Sequence, residues 1–314
     1  MKKPEKSYPL NQSPLHLMLS RKKLAGLLGF LPAALQRLAD RTDNYVKFTI
    51  KQGEKERHIQ APKASLEKAH RKLFTCLVRI EKPEYLHSGR KEHSYITNAK
   101  VHQGAVPLVK LDIKQFYPSI DGSRVYRFFL EGLRCSPDVA GLLCKLCTID
   151  GHLPTGSCLS QLLAFFSAKP MLDELHQHAH ANEVRGTCYV DDLTWSGKNA
   201  TPNFLWGAKQ IVHSHGFKYH KDFVYTAEDK KVVTGVIIYG PNLQVIPSRE
   251  LDVWKAFNAL GGVNKVDRLK AMDRLIGKVS AFSQIDARYL AKVKALRQRR
   301  KTMKTALKAN LKTA

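Results

Sequence analysis

Acidic side chains are scarce in this 314-residue chain: 27 Asp and Glu stand against 52 Lys and Arg, a formal charge of +25. The shortage is sharpest near the end, where no Asp or Glu follows Ala287 while ten Lys or Arg do. Such a balance disfavours cationic partners and favours a polyanion, nucleic acid first, with a membrane surface as the alternative. Long apolar runs are missing too. None approaches the ~18 residues of a spanning helix. Met1-Lys2-Lys3-Pro4-Glu5 leads into nothing like the apolar segment of a signal peptide. The apolar stretch from Leu24 to Leu38 is broken by Gly26, Gly29 and Pro32 and reads as helical core. The six cysteines show no disulfide framework. Cys144 and Cys147 form a lone C-x-x-C with no second pair to complete a zinc site, so buried thiols on a helix and a cytoplasmic location are expected.

What is present is an apolar fraction of 43%, enough for a real core. Residues 1–20 are polar and read as a loosely packed lead-in. Asn44 to Lys51 alternates, turns at Gln52-Gly53 and resumes from Glu56, which predicts a hairpin. Ser65 to Arg79 has a helical period with one basic face, open to either solvation or phosphate contact. Residues 81–106 show no period and read as loop. Val106 to Ile113 reads as a buried strand. Pro154-Thr155-Gly156-Ser157 opens a long helix that ends near His176 and His180, two imidazoles on one face with no third ligand in view. A hairpin follows at 186–196, then a helix from Asn203 to His215, a short strand at 217–219, and a second hairpin from Val232 to Ile246 turning at Gly240-Pro241-Asn242. Beyond about 248 the pattern is helical. The expected division is therefore 1–247, a mixed body, and 248–314, a helical part with a basic tail.

The chemistry concentrates at Tyr189-Val190-Asp191-Asp192, the tip of the 186–196 hairpin. Adjacent carboxylates on an apolar hairpin repel and push one another toward protonation unless a cation offsets them. Oxygen ligands of this kind suit Mg²⁺. Asp112 closes an apolar strand about eighty residues upstream. Three carboxylates on two strand ends could hold two metals roughly 3.5–4 Å apart, as polymerases do.

The order of these pieces resembles the palm of a reverse transcriptase: Asp112, then Gly156, then Tyr189-Val190-Asp191-Asp192, then Lys221. Asn98-Ala99-Lys100-Val101-His102 matches the N-A-x-x-H pattern of retron reverse transcriptases, and Val233-Thr234-Gly235 matches their V-T-G pattern. The resemblance covers roughly residues 20–300. Four positions depart from the family pattern: Thr155 replaces Gln, Ser160-Gln161 replaces Ser-Pro, Leu163-Ala164-Phe165 replaces Leu-Ser-Asn, and Val190 stands where Ala is frequent. They touch nucleotide contacts rather than the metal site.

The resemblance implies an α+β right-hand polymerase fold, with fingers and palm in 1–247 and a helical thumb in 248–314. It implies RNA-directed DNA synthesis with two Mg²⁺ held by Asp112, Asp191 and Asp192 and by the Ile113 carbonyl. Tyr117 corresponds to the bulky residue that excludes a ribose 2′-hydroxyl, while Lys221, Arg57 and Gly156 correspond to nucleotide contacts. Asn98, His102, Val233, Thr234 and Gly235 are the places for RNA recognition, joined by Arg297, Arg299, Arg300 and Lys301 of the thumb. The implied partners are deoxynucleotides, a cognate non-coding RNA whose guanosine 2′-hydroxyl primes a branched RNA–DNA product, and a separate effector in anti-phage defence. Two other readings stay open: a group II intron or abortive-infection type of reverse transcriptase, and an idle RNA-binding scaffold for an effector.

Overall fold

The computed structural model describes residues 7–52, 55–262 and 264–310. Three antiparallel sheets lie among helices, an α+β arrangement. Strands β1 (Tyr45–Gln52) and β2 (Lys55–Pro62) pair as the alternating sequence predicts, although Gly53 of the expected turn lies outside the described residues. Val46, Phe48 and Ile50 share one face of β1 and are all exposed, so this hairpin stands away from the core.

The central sheet contains β3 (Leu108–Ile113), β4 (Arg185–Tyr189), β5 (Asp192–Ser196) and β6 (Tyr219–Tyr225), in the order β4-β5-β3-β6. Each pairing is antiparallel. Val109, Leu111, Cys188, Leu193 and Trp195 form its buried apolar face. Helices Ser160–Ala181 and Pro202–Ser214 cover that side. The two-residue side-chain period then forces Asp112, Lys110, Asp192, Thr194 and Thr187 onto the opposite face.

Helix Ser160–Ala181 buries Leu162, Leu163, Phe165, Phe166, Met171, Leu172 and Leu175, and apolar surface on every side makes it a core helix. Phe166 stacks on Phe128 at 5.0 Å. The helix starts later than the Pro154 opening suggested. Ser157 is occupied elsewhere: its hydroxyl accepts from the Leu159 N–H and lies 2.7 Å from Nδ1 of buried His70.

Two expectations are corrected outside the central sheet. Residues 81–106 contain a helix, Tyr95–Val101. Ser94 accepts from the Ile96 and Thr97 N–H groups while Thr97 Oγ1 accepts from the Ser94 N–H, a capping box. Seven residues are too few for a helical period to show. The described part of the lead-in, from Ser7 to Ser20, is not loose either. Leu15 is fully buried, and the Tyr8 and Ser13 hydroxyls both donate to the Cys76 carbonyl, at 2.7 and 3.1 Å.

The third sheet is a meander of β7 (Lys231–Val233), β8 (Val236–Tyr239) and β9 (Asn242–Val245). Sequence reading ran the first two together. Thr234 and Gly235 separate them with φ of +45° and +77°. This two-residue turn with both central residues left-handed matches the twist of a hairpin. Past Pro247 come helices Pro247–Asn258, Lys265–Ile285 and Tyr289–Asn310, which share their own apolar cluster around Met272, Leu275, Val279, Phe282 and Val293. No described helix is long and apolar enough to cross a membrane.

Candidate active site

The carboxylates meet at one end of the central sheet. Asp112 closes β3 directly opposite Asp192, the first residue of β5, and Lys221 of β6 faces Asp112 from the other side. One row of the polar face thus reads Tyr189, Asp192, Asp112, Lys221. Asp191 sits in the two-residue turn between β4 and β5, and its carbonyl accepts from the Ile113 N–H at 2.9 Å. That bond ties the end of β3 to the turn, at the point where the β3–β6 register shifts. The turn is strained. Val190 has φ of +61°, a left-handed conformation costly for a β-branched residue. The Ser88 hydroxyl supports it by accepting the Val190 N–H at 3.0 Å.

The electrostatics follow from burial. Asp191 is pushed up to about 6, first by desolvation and then by the charge of Asp112. Asp192 is also raised by burial, with the Lys110 ammonium pulling against it at 3.3 Å. The other Asp192 oxygen, Oδ1, is buried without a hydrogen-bond partner. A carboxylate held toward neutrality beside an unpartnered carboxylate oxygen is a donor set that a hard divalent cation completes. Among the described residues no three His, Cys, Asp or Glu side chains are grouped closely enough to form a metal site by themselves.

The remaining expected site residues fall at unequal distances. Tyr117 lies close enough to Asp191 that this charge adds to the burial raising its phenol. Arg57 of β2 is exposed, and its charge draws the Asp191 carboxyl down. Gly156 is close-packed for a reason the sequence did not reveal. A Cβ there would lie 2.8 Å from both the Gln60 carbonyl oxygen and Ile59 Cγ2. Its glycine character lets β2 approach. Thr155, the departure from the family pattern, strengthens the same joint: its hydroxyl donates to the His58 carbonyl at 2.8 Å and accepts the Gln60 N–H at 3.2 Å.

The expected RNA contacts need correction. Asn98, His102 and Val233 are fully buried and offer no surface to a nucleic acid, and Thr234 and Gly235 are half-buried. His102 and Thr234 instead make bonds inside the fold. His102 Nδ1 lies 2.8 Å from Ser196 Oγ and Nε2 lies 2.7 Å from Thr187 Oγ1. Thr234 Oγ1 donates to the Tyr95 carbonyl at 2.7 Å. Gly235 faces the Arg249 guanidinium, which stacks on the Tyr95 ring at 4.6 Å and would lie 2.6 Å from an added Cβ. On the last helix Arg297, Arg299 and Lys301 are exposed, but Arg300 forms a two-pronged ion pair with Asp273. His176 packs against the Tyr85 ring at 5.0 Å, in keeping with a structural rather than a ligating face. Cys147 is buried and the Cys144 thiol donates to the Gly122 carbonyl at 3.1 Å.

Sequence reasoning missed Lys110, Thr187 and Ser196. Lys110 had a signal: a lysine inside an apolar strand, two residues before Asp112, must share its face. Thr187 and Ser196 had none, since hydroxyls in strands are ordinary.

No family model matches the chain. Curated relatives do. The retron Se72 reverse transcriptase of Salmonella heidelberg is 36% identical over 159 residues, 49% of this chain and 41% of the relative. The retron Mx162 reverse transcriptase of Myxococcus xanthus is 27% identical over 238 residues, 65% of this chain and 49% of the relative. The retron Ec86 reverse transcriptase of Escherichia coli is 26% identical over 155 residues, 47% of each chain. The chain thus resembles retron reverse transcriptases, and the matches span less than half the length of these relatives.

Proposed function

We propose that this chain is an RNA-directed DNA polymerase of the retron type. The observation that carries the reading is the register that sets Asp112 opposite Asp192, with Asp191 in the adjoining turn. The identity of the relatives as retron reverse transcriptases supports it. Residues 1–247 serve as fingers and palm and 248–314 as thumb. Asp112, Asp191 and, more peripherally, Asp192 would hold two Mg²⁺, with the Ile113 carbonyl as a further ligand. Bound there, the ions would lower the pKa of the attacking hydroxyl and stabilise the leaving pyrophosphate.

The chain's own residues do the rest. Tyr117 stands beside Asp191 and excludes a ribose 2′-hydroxyl, selecting deoxynucleotides by repulsion. Arg57, whose charge reaches Asp191, and Lys221, opposite Asp112, offset triphosphate charge. The joint of Thr155 and Gly156 with β2 keeps Arg57 over the site. Exposed Arg297, Arg299 and Lys301 grip the phosphates of a structured RNA, which is read mainly through shape and backbone. The template is a cognate non-coding RNA whose guanosine 2′-hydroxyl primes the DNA, and the setting is anti-phage defence with a separate effector.

The test is DNA synthesis by the Asp191→Ala, Asp192→Ala double variant, which is expected to be abolished while RNA binding persists. Undiminished primer extension would sink the mechanism. Nucleic acid co-purifying with the wild type is expected to contain a discrete DNA that shifts on RNase and debranching treatment. RNA alone would speak for a scaffold.

A further inference from the structure

We propose that His102 is a positioning residue for the catalytic hairpin, acting through Thr187 and Ser196 on its two strands. The proposal rests on the reading of Asp191 and Asp192 as metal ligands and adds what holds them in place.

His102 is fully buried, and each ring nitrogen meets one hydroxyl, at 2.7 and 2.8 Å. A neutral imidazole has one donor and one acceptor, and a hydroxyl can answer either, so both bonds are satisfied at once. The two hydroxyls belong to different strands. Thr187 precedes Tyr189 by two residues on β4, and Ser196 follows Asp192 by four on β5. Both lie on the face that carries Asp192 and Asp112. One rigid ring therefore pins the two strands against sliding. A slip of a single residue would turn the carboxylates toward the apolar side of the sheet. The turn joining these strands needs that restraint, because Val190 holds a left-handed backbone that a β-branched residue adopts only when its surroundings impose it. The helix that delivers His102 is itself anchored by the Thr234 bond to the Tyr95 carbonyl.

A histidine that merely fills the core would give the same burial but a different response to loss of its partners. The experiment compares wild type, Thr187→Val, Ser196→Ala, the double variant and His102→Gln. The hydroxyl variants keep nearly all side-chain volume and so remain informative where His102→Gln fails to fold. Primer extension on an RNA template gives kcat and the KM for deoxynucleotide. Mn²⁺ binding followed by electron paramagnetic resonance reports the metal site without any turnover. Loss of groups that orient metal ligands is expected to cost about 10-fold in kcat and in Mn²⁺ affinity for the double variant, with KM for deoxynucleotide nearly unchanged. Lower melting temperatures with unaltered kcat per folded molecule and unaltered Mn²⁺ binding would overturn the proposal alone. A wild type that neither extends a primer nor binds Mn²⁺ more tightly than Asp191→Asn would overturn the polymerase reading and this proposal with it.

Discussion

Burial of His102 makes a quantitative statement about stability and pH. Desolvation, with smaller contributions from His87, Arg185 and Lys110, depresses its pKa from 6.5 to about 3. The unfolded chain therefore binds a proton between these values that the folded chain refuses. Stability from this group is complete above about pH 6.5 and is lost as pH falls toward 3. At about 1.36 kcal/mol per pH interval, the full loss is about 5 kcal/mol, and the part already lost at pH 5 is about 2 kcal/mol. His70 and His87 are depressed as well, so the pH curve of the wild type mixes several groups. Substitution separates them. His102→Gln destabilises at pH 7.5 by removing the two-strand bridge, and it also removes the titrating group. The penalty of the substitution should accordingly be about 2 kcal/mol smaller at pH 5 than at pH 7.5. Over 314 residues that is roughly 3 °C in melting temperature. Urea denaturation of both proteins at both pH values reads the difference directly. An equal penalty at the two pH values would refute the argument that the fold holds His102 neutral.

Three other outcomes follow from particular contacts. Gly156→Ala places a methyl 2.8 Å from the Gln60 carbonyl oxygen and Ile59 Cγ2, and should cost about 1–3 kcal/mol in denaturant stability; an unchanged midpoint would show that β2 yields freely. Tyr117→Ala should raise incorporation of ribonucleotides relative to deoxynucleotides by an order of magnitude or more, measured as the ratio of kcat/KM, whereas an unchanged ratio removes Tyr117 from sugar selection. Arg297→Met should lessen the salt dependence of RNA binding by about one counterion, while Arg300→Met, whose partner is Asp273, should leave that slope alone and lower the denaturation midpoint only slightly; reversed behaviour would exchange their roles.

The cluster of carboxylates was legible because its members break a rule that local sequence obeys. Asp112 ends an apolar strand, and Asp191 and Asp192 are adjacent charges at a turn, so each advertises an unmet electrostatic need. The long helices were legible because a period of 3.6 needs about three turns to declare itself. Helix Tyr95–Val101 is shorter than that, and its existence depends on the reciprocal Ser94–Thr97 cap rather than on a stripe. Gly156 was recognised as necessary, but the necessity came from β2, nearly a hundred residues earlier, a tertiary fact that no window around Gly156 contains.

The treatment of Asn98, His102 and Val233 as RNA contacts failed for a related reason. A polar residue in a recognised pattern suggests a ligand, and only burial distinguishes a group that meets a ligand from one that aims another group at it. Here the two patterns, 131 residues apart from His102 to Val233, converge on one helix. Its start is held by Thr234 and its end delivers His102 to both strands of the carboxylate hairpin. A site made of three mutually repelling carboxylates and a strained turn is not stable in shape by itself. Something outside the hairpin must impose the geometry, and His102, bonded to Thr187 and Ser196 on its two strands, is placed to do so.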